Sequence, residues 1–486
     1  MLSATTVEIL KRLSSAELKR FGDFINSPYH NSTASLEKIY KIVLKARPDY
    51  SSPALEYKNI WKKMFPHEEY KEKRIKNLYA DFSIILKKFI GYEEIANKSY
   101  ELDLLTAESL SAKNLFDASA KFIKKSIAKH DTGLITDHIK LLYNQRINII
   151  QRDNFQHAGA ETKEQDYRNV LTVISESMIT RFLRITYTEA YSIATEEAIS
   201  SEKGIMIVDA FLNVFDMEKF LETLKRENHK YYSYLKINYM LYYHMKSDIN
   251  EEQLYDLKKE IFNIIHKVEK WEAYTFIFRT IDLILVKMVR SDRKYYRDIL
   301  DFANLFRELK IFPDDSGNVF TIGCFRDAFM PAIILKEYEW AENFVYEYAP
   351  YLAEDTRESE LNYCLGILSF KKGKFEESLN YLNKLKLVHL VQKISIRFYY
   401  LMNYIELKAY ETALSSVQTL RQYYNDNKDM PEIFTVNFTE SLKYFQEIIK
   451  CEMEGKKIDG FLYEIAKNGK NFNHRQYILE KMEKLL

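Results

Sequence analysis

The amino-acid sequence predicts an all-α protein, a helical solenoid preceded by a small N-terminal helical unit. The 486 residues include only 12 Gly and 8 Pro, whereas sheet proteins need turn residues roughly every eight to twelve positions. Apolar residues recur at helical spacing along most of the chain, which is typical of amphipathic helices. A chain this long exceeds one ordinary domain, so it either divides into several domains or stacks repeats that bury the core along a line.

Composition and cysteine usage indicate a folded protein of a reducing compartment. Hydrophobic residues make up 47% of the chain and charged residues 29%, a balance that argues against a disordered protein. The three cysteines, Cys324, Cys364 and Cys451, are far apart and form no CxxC pair, so we expect neither a disulfide framework nor a zinc site. The sequence shows no signal peptide and no run of about eighteen apolar residues. We therefore expect a cytoplasmic protein that does not insert into a membrane.

Residues 1–92 are predicted to form a small basic helical domain. Ser14 or Ser15 offers an N-cap for the first amphipathic segment. Pro48 ends the next segment. The strongest helix carries a continuous apolar stripe, and Gly91 is predicted to cap its C-terminus. The stripe consists of Ile75, Leu78, Tyr79, Phe82, Ile85, Leu86, Phe89 and Ile90.

Residues 93–312 are predicted to form a stack of helices that resembles a repeat array. The segments "KYYSYLKINYMLYYHM" and "EAYTFIFRTIDLILVKMV" are apolar on more than one face, so each helix should lie between neighbours. The cluster "FPDDSGN" at 312–318 contains the densest set of turn residues in the chain. We place the start of a C-terminal block, residues 313–486, at this cluster.

One stretch of the C-terminal block, "LGILSFKKGKFEESLNYLNKL", carries a recognisable helix-turn-helix pattern. Gly366 follows a leucine in the first helix, where a minimal side chain lets two helices approach closely, and Gly373 lies in the turn. Phe375 begins the second helix, with the small Ser378 and the large Leu382 after it. This order resembles the tetratricopeptide repeat (TPR), whose period is about 34 residues.

Two neighbouring segments repeat the pattern, so the resemblance extends over residues 320–425. Ala341 and Ala413 take the position of Ser378, and the three small residues are spaced by 37 and then 35 residues. The pattern is degenerate, because two units lack the Leu-Gly pair. In the central unit, Asn362 takes the place of the usual Trp, Ser369 that of the usual Tyr and Leu390 that of the usual Pro.

The resemblance implies a partner-binding groove lined by the first helix of each pair. In TPR-like proteins such a surface commonly binds a peptide segment of another protein. The alternative is that these side chains pack against further helices of the same chain. The candidate groove residues carried over from the pattern are Arg326, Met330, Ile333, Tyr363, Ile367, Phe370, Lys371, Phe398, Met402, Ile405 and Glu406.

Motifs of catalysis and cofactor binding are absent from the sequence. It contains no HExxH, no His-Cys cluster at metal-ligand spacing, and no GxGxxG, GxxxxGK[ST] or GxSxG motif. We therefore expect no catalytic residues, no bound metal and no cofactor. The predicted function is a non-catalytic scaffold or adaptor for another protein.

The basic N-terminus leaves a second function open, that of a nucleic-acid-binding regulator. Residues 1–90 carry 17 Lys and Arg against 10 Asp and Glu, although the net charge of the whole chain is +1. Such asymmetry occurs in nucleic-acid-binding proteins, and bacterial regulators do join a DNA-binding head to a repeat array. A solvated lysine-rich surface would give the same count. The candidate nucleic-acid contacts are Lys71, Lys73, Arg74, Lys76 and Asn77.

Overall fold

The computed structural model describes residues 2–157, 164–200, 207–289, 293–311, 320–385, 390–427, 438–469 and 474–486. Within these ranges every regular element is a helix, and one isolated bridge pairs Ile135 with Val268. The all-α prediction is therefore confirmed. In the same ranges, no helix combines the length and the apolar character that crossing a membrane requires.

The described chain divides into two compact units. Unit 1 comprises Met1–Asp131 with Tyr143–Ser175, and unit 2 comprises Thr132–Leu142 with Glu176–Leu486. The boundary predicted at residue 92 is not tested by this division. The cluster at 312–318, which suggested the boundary at residue 312, lies outside the described residues.

Unit 1 contains seven helices and parts of two more among its described residues. Ser14 begins the second helix with a capping box, in which its hydroxyl accepts from the Glu17 N–H and the Glu17 carboxylate accepts from the Ser14 N–H. Phe21 lies in the core with its ring centroid 5.6 Å from that of Phe82 and 5.2 Å from that of Phe89. The helices are α1 (Ala4–Arg12), α2 (Ser15–Asn26), α3 (Ala34–Leu44), α4 (Tyr57–Met64), α5 (Glu72–Asn97), α6 (Ser99–Ala112) and α7 (Phe116–His130), followed by α8 (His138–His157) and α9 (Glu164–Ser200), which continue into unit 2.

The helices of unit 2 follow one another in pairs. From α12 to α20, the first helix of each pair contacts the first helix of the next pair. These contacts join α12 to α14, α14 to α16, α16 to α18 and α18 to α20. Its further helices are α10 (Ile207–Val214), α11 (Met217–Arg226), α12 (Tyr232–Lys246), α13 (Glu251–Ile264), α14 (Lys270–Lys287), α15 (Tyr296–Glu308), α16 (Ile322–Ile334), α17 (Tyr338–Tyr348), α18 (Glu354–Lys371), α19 (Phe375–Leu382), α20 (Leu390–Glu406), α21 (Tyr410–Asp426), α22 (Phe438–Glu454), α23 (Gly460–Asn468) and α24 (Arg475–Lys484).

The two glycines of the central pair lie where the sequence predicts them to be needed. A Cβ added to Gly366 would lie 2.8 Å from Leu382 Cδ2, so a side chain at this position would require Leu382 or one of the two helices to shift. The Ser378 hydroxyl donates to the Gly366 carbonyl over 2.7 Å and joins the same two helices. Gly373 lies between the helices with a φ of +75°, a backbone conformation that favours glycine.

Candidate partner-binding groove

The predicted groove residues lie on the three first helices α16, α18 and α20, which contact one another in that order. Most of their apolar side chains are buried. Phe398 and Met402 are each 1% exposed, and Phe370 and Tyr363 are 6% and 8% exposed. Ile333, Ile367 and Ile405 are also buried. These side chains therefore form part of the core of unit 2 and are not an open apolar surface.

The C-terminal helix α24 and the residue before it account for part of this burial. The His474 ring lies 4.9 Å from the Phe398 ring, centroid to centroid, and the Tyr477 ring lies 5.9 Å from the Phe370 ring. Further along α24, the Lys481 ammonium lies 3.1 Å from a carboxylate oxygen of Glu406. The inner face of α18 and α20 thus contacts a helix of the same chain.

Arg326 is engaged in an internal ion pair. Its guanidinium donates to both carboxylate oxygens of Glu360 over 2.8 and 2.7 Å, and Glu360 is only 2% exposed. The same guanidinium lies 4.3 Å from the centroid of the Tyr363 ring. A bidentate pair stacked on an aromatic ring holds the arginine in one orientation. Arg326 therefore stabilises the contact between α16 and α18.

A cleft of about 410 Å³ remains open beside α24. It brings together the predicted residues Met330, Ile333, Phe370, Lys371 and Glu406. The remaining predicted residues do not line it. Its other lining residues are Ile334, Lys336, Tyr338, Gly373, Phe375, Tyr399, Gln476, Tyr477, Glu480, Lys481 and Lys484.

The cleft carries an excess of unpaired positive charge. Lys481 is paired with Glu406 and Glu452, whereas Lys336, Lys371 and Lys484 have no carboxylate at ion-pair distance in the part of the chain that the structure describes.

The surroundings of Lys371 disfavour its charged form. Desolvation by the surrounding helices lowers the pKa of Lys371, although part of the residue is exposed. Glu480 raises this pKa, while Lys336 and Arg293 lower it further. An anionic group in the cleft would relieve the repulsion among these cations.

The candidate nucleic-acid contacts lie along the exposed side of the start of α5. Arg74 is paired with Glu68 at 2.6 Å, and Lys76 with Glu72 at 2.7 Å. Lys71, Lys73 and Asn77 are exposed and have no side-chain partner among the described residues. Half of the basic side chains in this set are therefore neutralised by carboxylates of the same chain.

Sequence reasoning missed Tyr477, Lys481 and Lys484, the residues of α24 that complete the cleft. No local pattern signals them, because they lie about a hundred residues or more from Phe370 along the chain. No group of three or more His, Cys, Asp or Glu side chains could hold a metal ion within the described ranges. No protein-family model, no curated protein and no solved structure matches this chain.

Proposed function

We propose that this chain is a non-catalytic scaffold or adaptor that binds another protein through the cleft beside α24. The observation that carries the proposal is the composition of the cleft, where the partly exposed Met330, Tyr338 and Phe375 lie next to lysines without carboxylate partners. Burial of apolar surface provides affinity, and unpaired cations select an acidic partner and accelerate its association. The partner segment therefore carries apolar side chains flanked by Asp or Glu.

The proposal includes a TPR-like solenoid over residues 320–425. Three features support it: small buried residues at Ala341, Ser378 and Ala413, a glycine-mediated close approach at Gly366, and contacts between successive first helices. In such arrays the first helices form the peptide-binding surface. Because α24 covers part of that surface here, the partner is placed beside α24 and not along the whole predicted groove.

Charge reversal in the full-length protein tests the proposal. Wild type, the double variant Lys336→Glu/Lys371→Glu and the control Lys443→Glu are used to capture proteins from native extract. Lys443 is an exposed residue of α22 that does not line the cleft. At least one protein should be retained by wild type and by the control, and lost by the double variant. Identical captured proteins for all three forms would contradict the proposal.

The nucleic-acid-binding regulator is the competing outcome of the same comparison. It gains support if no protein is captured specifically and the full chain binds DNA or RNA. Such binding should weaken steeply with salt, because phosphate contacts release counterions. Charge reversal at Lys71 and Lys73, the two cations of the candidate set that are not paired with a carboxylate among the described residues, should then reduce it.

A further inference from the structure

A second concave site lies in unit 2 on helices α9 to α12, outside the cleft beside α24. Its volume is about 250 Å³. This is below the roughly 300–1,000 Å³ of pockets that hold drug-sized ligands, so the site matches a single side chain or a small ion. Its lining residues are Tyr187, Leu212, Asn213, Phe215, Asp216, Met217, Glu218, Tyr239, Tyr242 and Tyr243.

Aromatic rings form the walls of this site, which we call the aromatic cage (Tyr187, Phe215, Tyr239, Tyr242 and Tyr243). The spacing of three of the tyrosines along α12 places them on one helix face. The Tyr187 ring lies 5.6 Å from the Tyr239 ring and 5.7 Å from the Tyr242 ring, centroid to centroid. The Tyr239 and Tyr243 centroids are 5.8 Å apart. The four tyrosine rings thus hold one another in place at the cavity, while the Phe215 ring packs against the rings of Phe211 and Phe220.

The charged residues that line the aromatic cage are both acidic. Asp216 and Glu218 are exposed, and neither has a cation at ion-pair distance among the described residues. The lining contains no Lys or Arg. Lys246 is the cation whose charge acts on Tyr242 of the cage, and it is paired with Glu197 at 2.8 Å and Asp209 at 3.7 Å. The cage therefore presents aromatic rings together with two carboxylates that lack a paired cation. The Asp216 carboxylate accepts from the Lys219 N–H over 2.9 Å, and the Glu218 carboxylate accepts from the Tyr239 hydroxyl over 3.2 Å.

We propose that the aromatic cage binds the ammonium group of a lysine side chain, unmodified or methylated, on a partner protein. Ring faces and carboxylates attract a cation and repel an anion. A protein is favoured over a free small cation because exposed apolar side chains flank the cage. Val214 lies between two lining residues and is 82% exposed, and Phe182, whose ring lies 5.1 Å from the ring of Phe211 on the same helix, is 49% exposed. Apolar surface of this kind marks a contact with another macromolecule.

Cationic and neutral peptides of the same shape distinguish recognition of charge from simple apolar binding. Isothermal titration of the full-length protein uses three capped tripeptides whose central residue is lysine, trimethyllysine or norleucine, and tetramethylammonium chloride as a free cation. The trimethyllysine peptide should bind most tightly, because its cation is weakly hydrated, and the neutral norleucine peptide should bind at least about tenfold more weakly. Equal binding of the cationic and neutral peptides, or binding of tetramethylammonium alone, would overturn the proposal.

Variants at the exposed side of the aromatic cage locate the binding. Tyr243 is 45% exposed, so its substitution leaves the core intact. Tyr243→Leu should weaken the trimethyllysine peptide about 5- to 30-fold, while Tyr243→Phe, which keeps the ring, should retain its affinity. Glu218→Gln should weaken the peptide and flatten the salt dependence of its binding. Unchanged affinity in Tyr243→Leu and Glu218→Gln would refute the site, and circular dichroism checks that each variant is folded. The cleft variants at Lys336 and Lys371 should bind the peptide like wild type, so failure here is distinguishable from failure of the proposed function.

Discussion

Replacing Gly366 by alanine tests whether the close approach of α18 and α19 requires glycine. The new Cβ would lie 2.8 Å from Leu382 Cδ2, 3.0 Å from its Cγ and 3.5 Å from the Ser378 carbonyl oxygen. Leu382 is 1% exposed, so any shift of its side chain must be absorbed within the core. Either the two helices separate or the leucine leaves its preferred rotamer, and both responses cost stability.

Two opposing terms set the size of the effect. Overpacking a core costs about 1–3 kcal/mol, while alanine gains about 1 kcal/mol over glycine in a helix interior. We therefore expect Gly366→Ala to lower the free energy of unfolding by about 1 kcal/mol. Gly366→Leu should lower it further. The matched control is Gly323→Ala, a helical glycine of α16 with no atom within 4 Å of the added Cβ. It should leave stability unchanged or raise it by up to about 1 kcal/mol.

The assay is urea denaturation of the full chain followed by far-ultraviolet circular dichroism. A double-mutant cycle with Leu382→Ala separates the clash from other effects, because that substitution removes the atoms nearest to the new Cβ. The cost of Gly366→Ala should then disappear. A clash is excluded if Gly366→Ala stabilises the protein as much as Gly323→Ala, or if Gly366→Ala costs the same with leucine and with alanine at position 382.

Two further predictions concern buried charges of unit 2. Arg184 and Glu272 are 5% and 0% exposed and form an ion pair at 2.9 Å. Glu272→Ala should therefore destabilise the protein by about 3–5 kcal/mol in urea denaturation, whereas Arg184→Met/Glu272→Met should lie near wild type; equal losses in both variants would contradict this account. Burial and the neighbouring Asp282 raise the pKa of Asp327 from 3.8 to about 7, so ionisation of Asp327 destabilises the fold as pH rises through this range. The free energy of unfolding of Asp327→Asn relative to that of wild type should increase by about 1–3 kcal/mol between pH 4 and pH 8. Thermal melting of both proteins across this range measures the difference, and a difference that does not change with pH would exclude the effect.

Sequence reasoning succeeds where the relevant contacts are local. Ala341, Ser378 and Ala413 are each completely buried, as expected for small residues where two helices cross. The sequence shows this because two helices joined by a short turn form one continuous residue pattern along the chain. The same locality applies to Gly373, whose positive φ is a property of one turn. An all-α fold follows from periodicity and the shortage of turn residues alone.

The helix end predicted at Gly91 is wrong. Helix α5 instead continues through it to Asn97. A Cβ at this glycine would meet nothing within 4 Å, so neither a turn nor a close approach requires it. An exposed glycine inside a helix lowers the stability of that helix by only about 1 kcal/mol relative to alanine. The flanking turns of a long helix offset this loss.

The groove could be predicted only in part, because its final shape depends on contacts between distant residues. The sequence pattern places Phe370 and Phe398 on first helices, but it contains no signal that Tyr477 and His474 cover them. Pairing of Arg326 with Glu360 depends likewise on two charges that lie on different helices. The predicted residues therefore lie on three successive helices, and contacts between distant residues decide which of them line the open cleft.

The affinity of the captured partner for the full-length protein tests most directly whether the partner binds in the cleft beside α24. Once the partner is identified, isothermal titration compares wild type, Lys336→Glu/Lys371→Glu and Lys443→Glu at one salt concentration. Removal of two charge-assisted contacts, each worth about 1.5–3 kcal/mol, predicts a dissociation constant at least about a hundredfold higher for the double variant. The Lys443→Glu protein should bind like wild type. Equal dissociation constants for all three proteins would show that the partner does not bind in the cleft beside α24.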